Sequence, residues 1–149
     1  MEKILVSECL AGFCCRYDGG NNLVPEIKEL VDGGLAVTAC PEQLGGLPTP
    51  RIPSERVGDQ VISREGRDVT AEFTAGAEAA LRIALEHGCR SAILKSRSPS
   101  CGIGCIYDGR FTGALITGNG VTTDLLLQHG IEVLTEDEYL ARLSEKQKS

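Results

Sequence analysis

Residues 70–94 read TAEFTAGAEAALRIALEHGCRSAIL, and this stretch combines a helical pattern with the start of a buried strand. Apolar residues recur every four positions from 73 to 85, which is the spacing of one face of an α-helix. We predict a helix with Thr70 as its N-cap that runs to His87. The short apolar run at 92–94 is typical of a strand covered on both faces, as in a parallel sheet.

The same alternation of helix and strand extends to both sides of this segment. Further predicted strands lie at 4–6, 35–39 and 131–134, and further helices at 25–32 and 121–129. Helical crossovers of this size join parallel strands. The sequence therefore predicts an α/β fold with a small, open, mostly parallel sheet flanked by helices. We expect a three-layer, flavodoxin- or Rossmann-like arrangement with strand order 2-1-3-4.

The segments between these elements are predicted to be less regular. Residues 40–59 are rich in Pro and Gly and are expected to form a long loop. Small hairpins are predicted around 61–69 and 107–111. A capping box at 135–138 is expected to open a last helix that ends near Leu143, followed by a frayed polar tail.

Length and charge limit the classes of function. The 149 residues suit one domain, residues 1–149, and the composition, with 42% hydrophobic residues, suffices for a core. The net charge of −6 argues against binding to nucleic acid or to an anionic membrane. The sequence has neither a membrane-spanning run nor a secretory apolar region at its N-terminus, so we expect a cytoplasmic protein. Its oligomeric state cannot be read from the sequence.

Three cysteines follow the predicted strands. Cys9 comes just after the first strand, Cys40 just after the second, and Cys101 in the loop after the third. The carboxyl ends of parallel strands share one edge of the sheet, where open α/β folds bind ligands. These thiols are therefore expected to converge. Because a reducing cytosol disfavours structural disulfides, their convergence indicates a metal site or catalysis.

The remaining cysteines and both histidines have simpler interpretations. Cys89 is expected to be a core residue, whereas Cys14, Cys15 and Cys105 lie near the same edge and are either spare thiols or ligands. The two histidines lie in the last turns of predicted helices, where an imidazole complements the helix dipole. A site made of thiolates alone favours zinc or an iron–sulfur cluster, and three dispersed ligands suggest a cubane with one iron free of protein.

Two other functions remain open on this reasoning. One is a non-catalytic zinc or iron–sulfur module in which Cys14 or Cys15 completes the set of ligands. The other is a thiol–disulfide redox protein that uses Cys14 or Cys15 together with Cys9. The absence of a C-x-x-C motif counts against this second alternative.

Three motifs carry a resemblance to a known family. They are SECLAGFCCRYDG at 7–19, CPEQLGGLPTPR at 40–51 and LKSRSPSCG at 94–102. Together they resemble the short bacterial thiouracil desulfidases, and the likeness extends over roughly residues 3–134. The resemblance implies a [4Fe-4S] cluster bound by Cys9, Cys40 and Cys101. It also implies an enzyme that converts 4-thiouracil or 2-thiouracil to uracil and hydrogen sulfide without electron transfer, with a small thiobase as its only expected partner.

The same resemblance assigns roles to residues beside the cluster. It matches Glu42 to a general base and Ser98 to the serine that assists attack by water, with Ser100 as the second choice for that serine. Ser100, Arg16 and Arg51 are predicted to contact the substrate. The two arginines could equally neutralise an anionic cluster or form ordinary ion pairs.

Overall fold

A computed structural model describes residues 3–148 of the chain. Its strands are β1 (Ile4–Ser7), β2 (Ala36–Ala39), β3 (Ser54–Val57), β4 (Gln60–Ser63), β5 (Ser91–Leu94), β6 (Cys105–Tyr107), β7 (Leu115–Thr117) and β8 (Glu132–Thr135). Its α-helices are α1 (Pro25–Asp32), α2 (Pro41–Leu44), α3 (Thr70–Glu86), α4 (Val121–Gln128) and α5 (Glu136–Lys148). A 3₁₀ helix (Glu8–Ala11) follows β1 directly.

The central sheet has four parallel strands in the order β2-β1-β5-β8. Counted among the strands of this sheet, that order is 2-1-3-4, so the predicted α/β class and topology are confirmed. Leu5 and Val6 of β1 are completely buried, and so are, to within a few per cent, the apolar residues of β5. Burial on both faces is what the continuous apolar runs in the sequence indicate.

Helices cover both faces of the sheet. On one face Leu5 packs with Ala80 and Ala84 of α3 and with Leu126 of α4. On the other face, Val6 belongs to a second core cluster formed with α1 and α5. Leu5 and Val6 point to opposite faces because successive side chains of a strand alternate. The result is a three-layer arrangement whose carboxyl edge remains open.

The loop predicted at 40–59 is wrong in part, because it contains α2 and β3. Pro41 occupies the first turn of α2, where its fixed φ and missing N–H suit a helix start. The hairpin predicted at 61–69 is confirmed, because Ile62 and Asp68 form an antiparallel bridge and the Ser63 amide donates to the Arg67 carbonyl at 2.8 Å. On its other side, β4 pairs antiparallel with β3. The 107–111 turn is wider than predicted, because β6 and β7 enclose residues 108–114.

Two helix ends also differ from expectation. Thr70 is not an N-cap: it is the first residue of α3, and its hydroxyl accepts the Val61 amide at 2.9 Å. The capping box is confirmed by reciprocal bonds between Thr135 and Glu138, at 3.0 and 3.2 Å. However, α5 continues to Lys148, so the tail up to that residue is helical rather than frayed. Glu, Lys and Gln dominate this last part, and all three are good helix formers. Within residues 3–148, no helix is long and apolar enough to cross a membrane.

Two glycines bring α2 unusually close to α3. A Cβ atom on Gly76 would overlap the carbonyl oxygen of Pro41, and one on Gly45 would overlap the carbonyl oxygen of Glu72. The backbones therefore touch where each helix carries no side chain. Because α2 begins directly after Cys40, this contact also sets the position of that cysteine and of Glu42.

We expect Gly76→Ala to destabilise the protein by about 1–3 kcal/mol, since overpacking forces the two helices apart. The direction of the change in stability is informative, because replacing Gly by Ala inside a helix would otherwise stabilise the helix by about 1 kcal/mol. Denaturant unfolding measures the change, with Thr74→Ala at an exposed position of the same helix as the matched control. Unchanged or increased stability of Gly76→Ala would contradict the close contact.

Candidate active site

A cavity of about 700 Å³ opens at the carboxyl edge of the central sheet. Its walls come from the segments that follow β1, β2, β5 and β8, and from the β3–β4 and β6–β7 hairpins. It brings together seven of the eight predicted site residues, namely Cys9, Cys40, Cys101, Glu42, Ser98, Arg16 and Arg51. Residues separated by up to 92 positions in the chain (from 9 to 101) thus line the same cavity.

Each of the three predicted ligand cysteines is placed by a different local structure. Cys9 lies in the 3₁₀ helix after β1, and Cys40 joins β2 to α2 as the N-cap residue. Cys101 lies in a turn after β5, where its amide donates to Ser98 Oγ at 3.0 Å and its carbonyl accepts from Thr123 Oγ1 at 2.8 Å. All three residues are at least nine-tenths buried and line the same cavity.

A fourth thiol, Cys15, lies between Cys9 and Cys40 and is 4% exposed. Hydrogen bonding from Cys15 lowers the pKa of Cys9 to about 7, with Asn22 and Lys95 acting in the same direction. The pKa of Cys40 is lowered as well, again chiefly by the Cys15 thiol. The pKa of Cys15 itself is raised by these two neighbours and by burial. The Cys15 thiol thus favours the charged forms of both neighbouring cysteines.

Cys101 is in a more apolar environment. Burial raises the pKa of this thiol to about 12, although the hydroxyl of Ser7 opposes the shift. The negative charges of Cys9, Glu42 and Cys40 also raise the pKa of Cys101. A bound metal would reverse this preference, because a coordinating thiol is deprotonated outright.

The set of donors fits an iron–sulfur cluster better than a single ion. Across residues 3–148, no three His, Cys, Asp or Glu side chains are arranged to hold one metal ion. Yet three buried thiols line one cavity, and none of the chain's seven cysteines forms a disulfide. Soft thiolate ligands around a space larger than one ion match an inorganic core that bridges them.

Glu42 lies in the first turn of α2 with its carboxylate on the cavity wall. Arg51 Nε donates to Glu42 Oε1 at 3.1 Å. Burial raises the pKa of Glu42, and the guanidinium of Arg51 partly offsets the rise. A carboxylate with these properties is suited to accept a proton from water near neutral pH.

Arg51 is 6% exposed and is fully engaged with the protein. Besides Glu42, its guanidinium bonds to the carbonyls of Cys15 and Pro48 and to the hydroxyl of Thr49, at 2.9, 3.2 and 2.9 Å. These contacts leave little of the guanidinium for a substrate. The geometry favours Arg51 as a brace that joins α2 to the Cys15 segment and orients Glu42.

The two candidate serines differ in position. Ser98 lines the cavity, and its oxygen accepts the amides of Ser100 and Cys101 at 3.1 and 3.0 Å. Its O–H remains available as a donor. Ser100 is completely buried and does not line the cavity, because its hydroxyl pairs with Thr122 at 2.8 Å. The expectation that Ser100 contacts substrate therefore finds no support in this arrangement.

Sequence reasoning missed a half-buried ion pair that also lines the cavity. Glu136 accepts the amide of Ser96 at 2.8 Å, and Lys95 Nζ lies 3.2 Å from its second oxygen. Glu136 and Lys95 both line the cavity. The signal was present, because Glu136 follows β8 directly and so lies at the same edge as the cysteines. Asn22, which contacts Cys9, had no comparable signal in the sequence.

The remaining cysteines and both histidines lie elsewhere. Cys89 is buried against the α3 side of the sheet, as expected for a core residue. Cys14 is exposed, and neither it nor Cys105 lines the cavity. The histidines are also away from it; the ring nitrogen Nδ1 of His129 contacts the carbonyl of Leu125 at 3.1 Å.

Comparisons with known proteins identify the family of the chain. Residues 4–138 match the family described as 2-thiouracil desulfurase. A Bacillus subtilis (strain 168) protein, the uncharacterized protein YbbK, is 46% identical over 145 residues, covering 91% of this chain and 96% of the relative. A solved structure described as the [4Fe-4S]-dependent thiouracil desulfidase TudS is 49% identical. It superposes with a TM-score of 0.90 and covers 99% of each chain.

Proposed function

Because the chain belongs to the 2-thiouracil desulfurase family, we propose that it removes sulfur from thiolated pyrimidines with a [4Fe-4S] cluster held by Cys9, Cys40 and Cys101. The protein is an iron–sulfur-dependent thiouracil desulfidase. Three buried cysteines, each following a different strand, line the cavity that also contains Glu42. This observation supports the proposed ligands. When bound, such a cluster supplies a soft Lewis acid for the thiocarbonyl sulfur.

Residues of the chain perform the proton transfers in this proposal. Glu42 takes a proton from a water molecule, and the water oxygen attacks the carbon that bears sulfur. Ser98 donates its free O–H to the same water or to the developing oxygen. Glu42 returns this proton to the sulfur as the carbon–sulfur bond breaks, so the sulfur leaves as hydrosulfide. The hydroxyl that came from water then gives its proton to Glu42, and the carbonyl of uracil forms. No electron is gained or lost by the pyrimidine, so the reaction needs no redox partner.

Arg51 supports this chemistry by orienting the general base. Arg51 holds Glu42 by the bond to its Oε1 and leaves the second carboxylate oxygen without a guanidinium contact. This arrangement points one oxygen toward the brace and leaves the other for water. A carboxylate oriented in this way needs less reorganisation in the transition state.

A small thiobase suits the cavity better than a polynucleotide, because the chain carries a net charge of −6. The unpaired state of all seven cysteines suits a reducing compartment, and we place the reaction in the cytosol as part of the same proposal.

The proposal is tested by anaerobic reconstitution with iron and sulfide followed by incubation with 4-thiouracil. We expect a brown protein that releases one sulfide for each uracil formed, measured by sulfide assay and by the absorbance of the thiobase. A colourless protein that binds one zinc per chain and releases no sulfide would favour the zinc module instead. Reduction of disulfide substrates by the metal-free protein would favour the thiol–disulfide alternative, for which the adjacent thiols of Cys9 and Cys15 are the relevant feature.

A further inference from the structure

Asn22 holds Cys9 by two hydrogen bonds. Its backbone amide donates to the Cys9 carbonyl oxygen at 2.9 Å. Its side-chain Nδ2 lies 3.4 Å from Cys9 Sγ, a distance at which an N–H donates to sulfur. The first bond fixes the backbone of Cys9 and the second restrains its sulfur. One loop residue therefore restrains both the main chain and the side chain of this cysteine.

A neighbouring arginine sets the orientation of the Asn22 amide. Arg16 Nη1 donates to Asn22 Oδ1 at 3.0 Å. A guanidinium has donors only, so the oxygen of the amide must face Arg16 and the NH₂ group must face the sulfur. Arg16 is itself anchored, because its Nη2 lies 3.2 Å from Asp18 Oδ2 and its amide donates to the Gly20 carbonyl at 3.1 Å.

We propose that Asn22 is a positioning residue for the cluster, which donates an N–H···S hydrogen bond to the Cys9 ligand, with Arg16 fixing the direction of the donor. This inference rests on the proposed assignment of Cys9 as a ligand. It also gives Arg16, predicted above to contact substrate, a different task. Hydrogen bonds to ligand sulfurs withdraw electron density from the cluster, stabilise its more negative states and restrain the ligand.

The decisive variant is Asn22→Asp, which has nearly the same shape but replaces the donor with an acceptor. It keeps an oxygen for Arg16 and strengthens that contact, so the loop should stay folded. We expect the reconstituted variant to lose iron to a chelator about tenfold faster than the wild-type protein, in keeping with the usual effect of removing a partner of a metal ligand. We also expect a more negative reduction potential, because a negative charge replaces a donor beside the sulfur.

The chain provides a matched control at the next position. Asn21 Nδ2 lies 3.7 Å from Cys14 Sγ, but Cys14 is exposed and does not line the cavity. Asn21→Asp makes the same chemical change beside a thiol that is not a proposed ligand. We expect this variant to keep the iron retention and the reduction potential of the wild-type protein.

Arg16→Met provides a second arm, because it leaves Asn22 in place and removes the guanidinium that orients its amide, together with the contact of that guanidinium to Asp18. We expect a smaller shift in the same direction as in Asn22→Asp. If wild-type protein takes up no cluster, the proposed function fails before this inference is reached. If wild-type protein is loaded and Asn22→Asp matches it in iron retention and in potential, the inference alone is overturned.

Discussion

Replacement of Cys101 by serine is expected to give a folded protein that holds no [4Fe-4S] cluster and releases no sulfide from 4-thiouracil. Serine keeps the size of the side chain but replaces a soft thiolate with a hard hydroxyl, which iron in such clusters binds poorly. The residue is 5% exposed and its backbone is held by Ser98 and Thr123, so the substitution should leave the turn in place. Iron and sulfide analysis after reconstitution measures the loss.

Cys105→Ser is the matched control for this prediction. Cys105 begins β6 only four positions further along the chain, and it does not line the cavity. We expect this variant to bind the cluster and to turn over as the wild-type protein does, while the melting temperature of each metal-free variant reports on folding. A Cys101→Ser protein that retains full iron while Cys15→Ser loses it would mean that Cys15, and not Cys101, is the third ligand.

Glu42→Gln is expected to keep the cluster and to lose sulfide release by about 10²–10⁴-fold, the usual contribution of a general base. The amide retains an oxygen that can accept from Arg51 Nε, so the local structure should persist. It cannot take a proton from water. Visible absorption and iron content report on the cluster, and single-turnover release of sulfide reports on the chemistry.

Glu8→Gln separates a specific role of Glu42 from a general loss of negative charge. Glu8 also lines the cavity, and burial raises its pKa too, although the hydroxyl of Thr38 at 3.4 Å opposes the shift. We expect this variant to retain nearly all of the activity. Sulfide release at the wild-type rate by Glu42→Gln would show that another group is the base.

The strand order and the placement of the cysteines could be predicted because both depend on local patterns. Continuous apolar runs identify the buried strands, and parallel strands joined by helices place their carboxyl ends together. The presence of Cys9, Cys40 and Cys101 on one cavity follows directly. The start of α2 inside a Pro/Gly-rich segment was missed, because its four residues are too few to show a helical period.

Side-chain direction could not be predicted in the same way. Ser98 and Ser100 are two residues apart in one turn, and neither composition nor spacing distinguishes them. The structure separates them, because Thr122 of α4 binds the hydroxyl of Ser100 and draws it away from the cavity. The contact between Asn22 and Cys9 likewise depends on how a loop of irregular backbone returns to the 3₁₀ helix.

The amino-acid sequence alone thus determined the α/β class, the strand order and the edge of the sheet at which the thiols gather. Periodicity and strand direction follow from backbone geometry, which short segments of the chain already express. Only the tertiary structure decided that Cys15 lies beside Cys9 and Cys40, which serine faces the cavity and which side chains orient Glu42 and Cys9. Those choices depend on hydrogen bonds between residues far apart in the chain, and such partners exist only after the layers have packed.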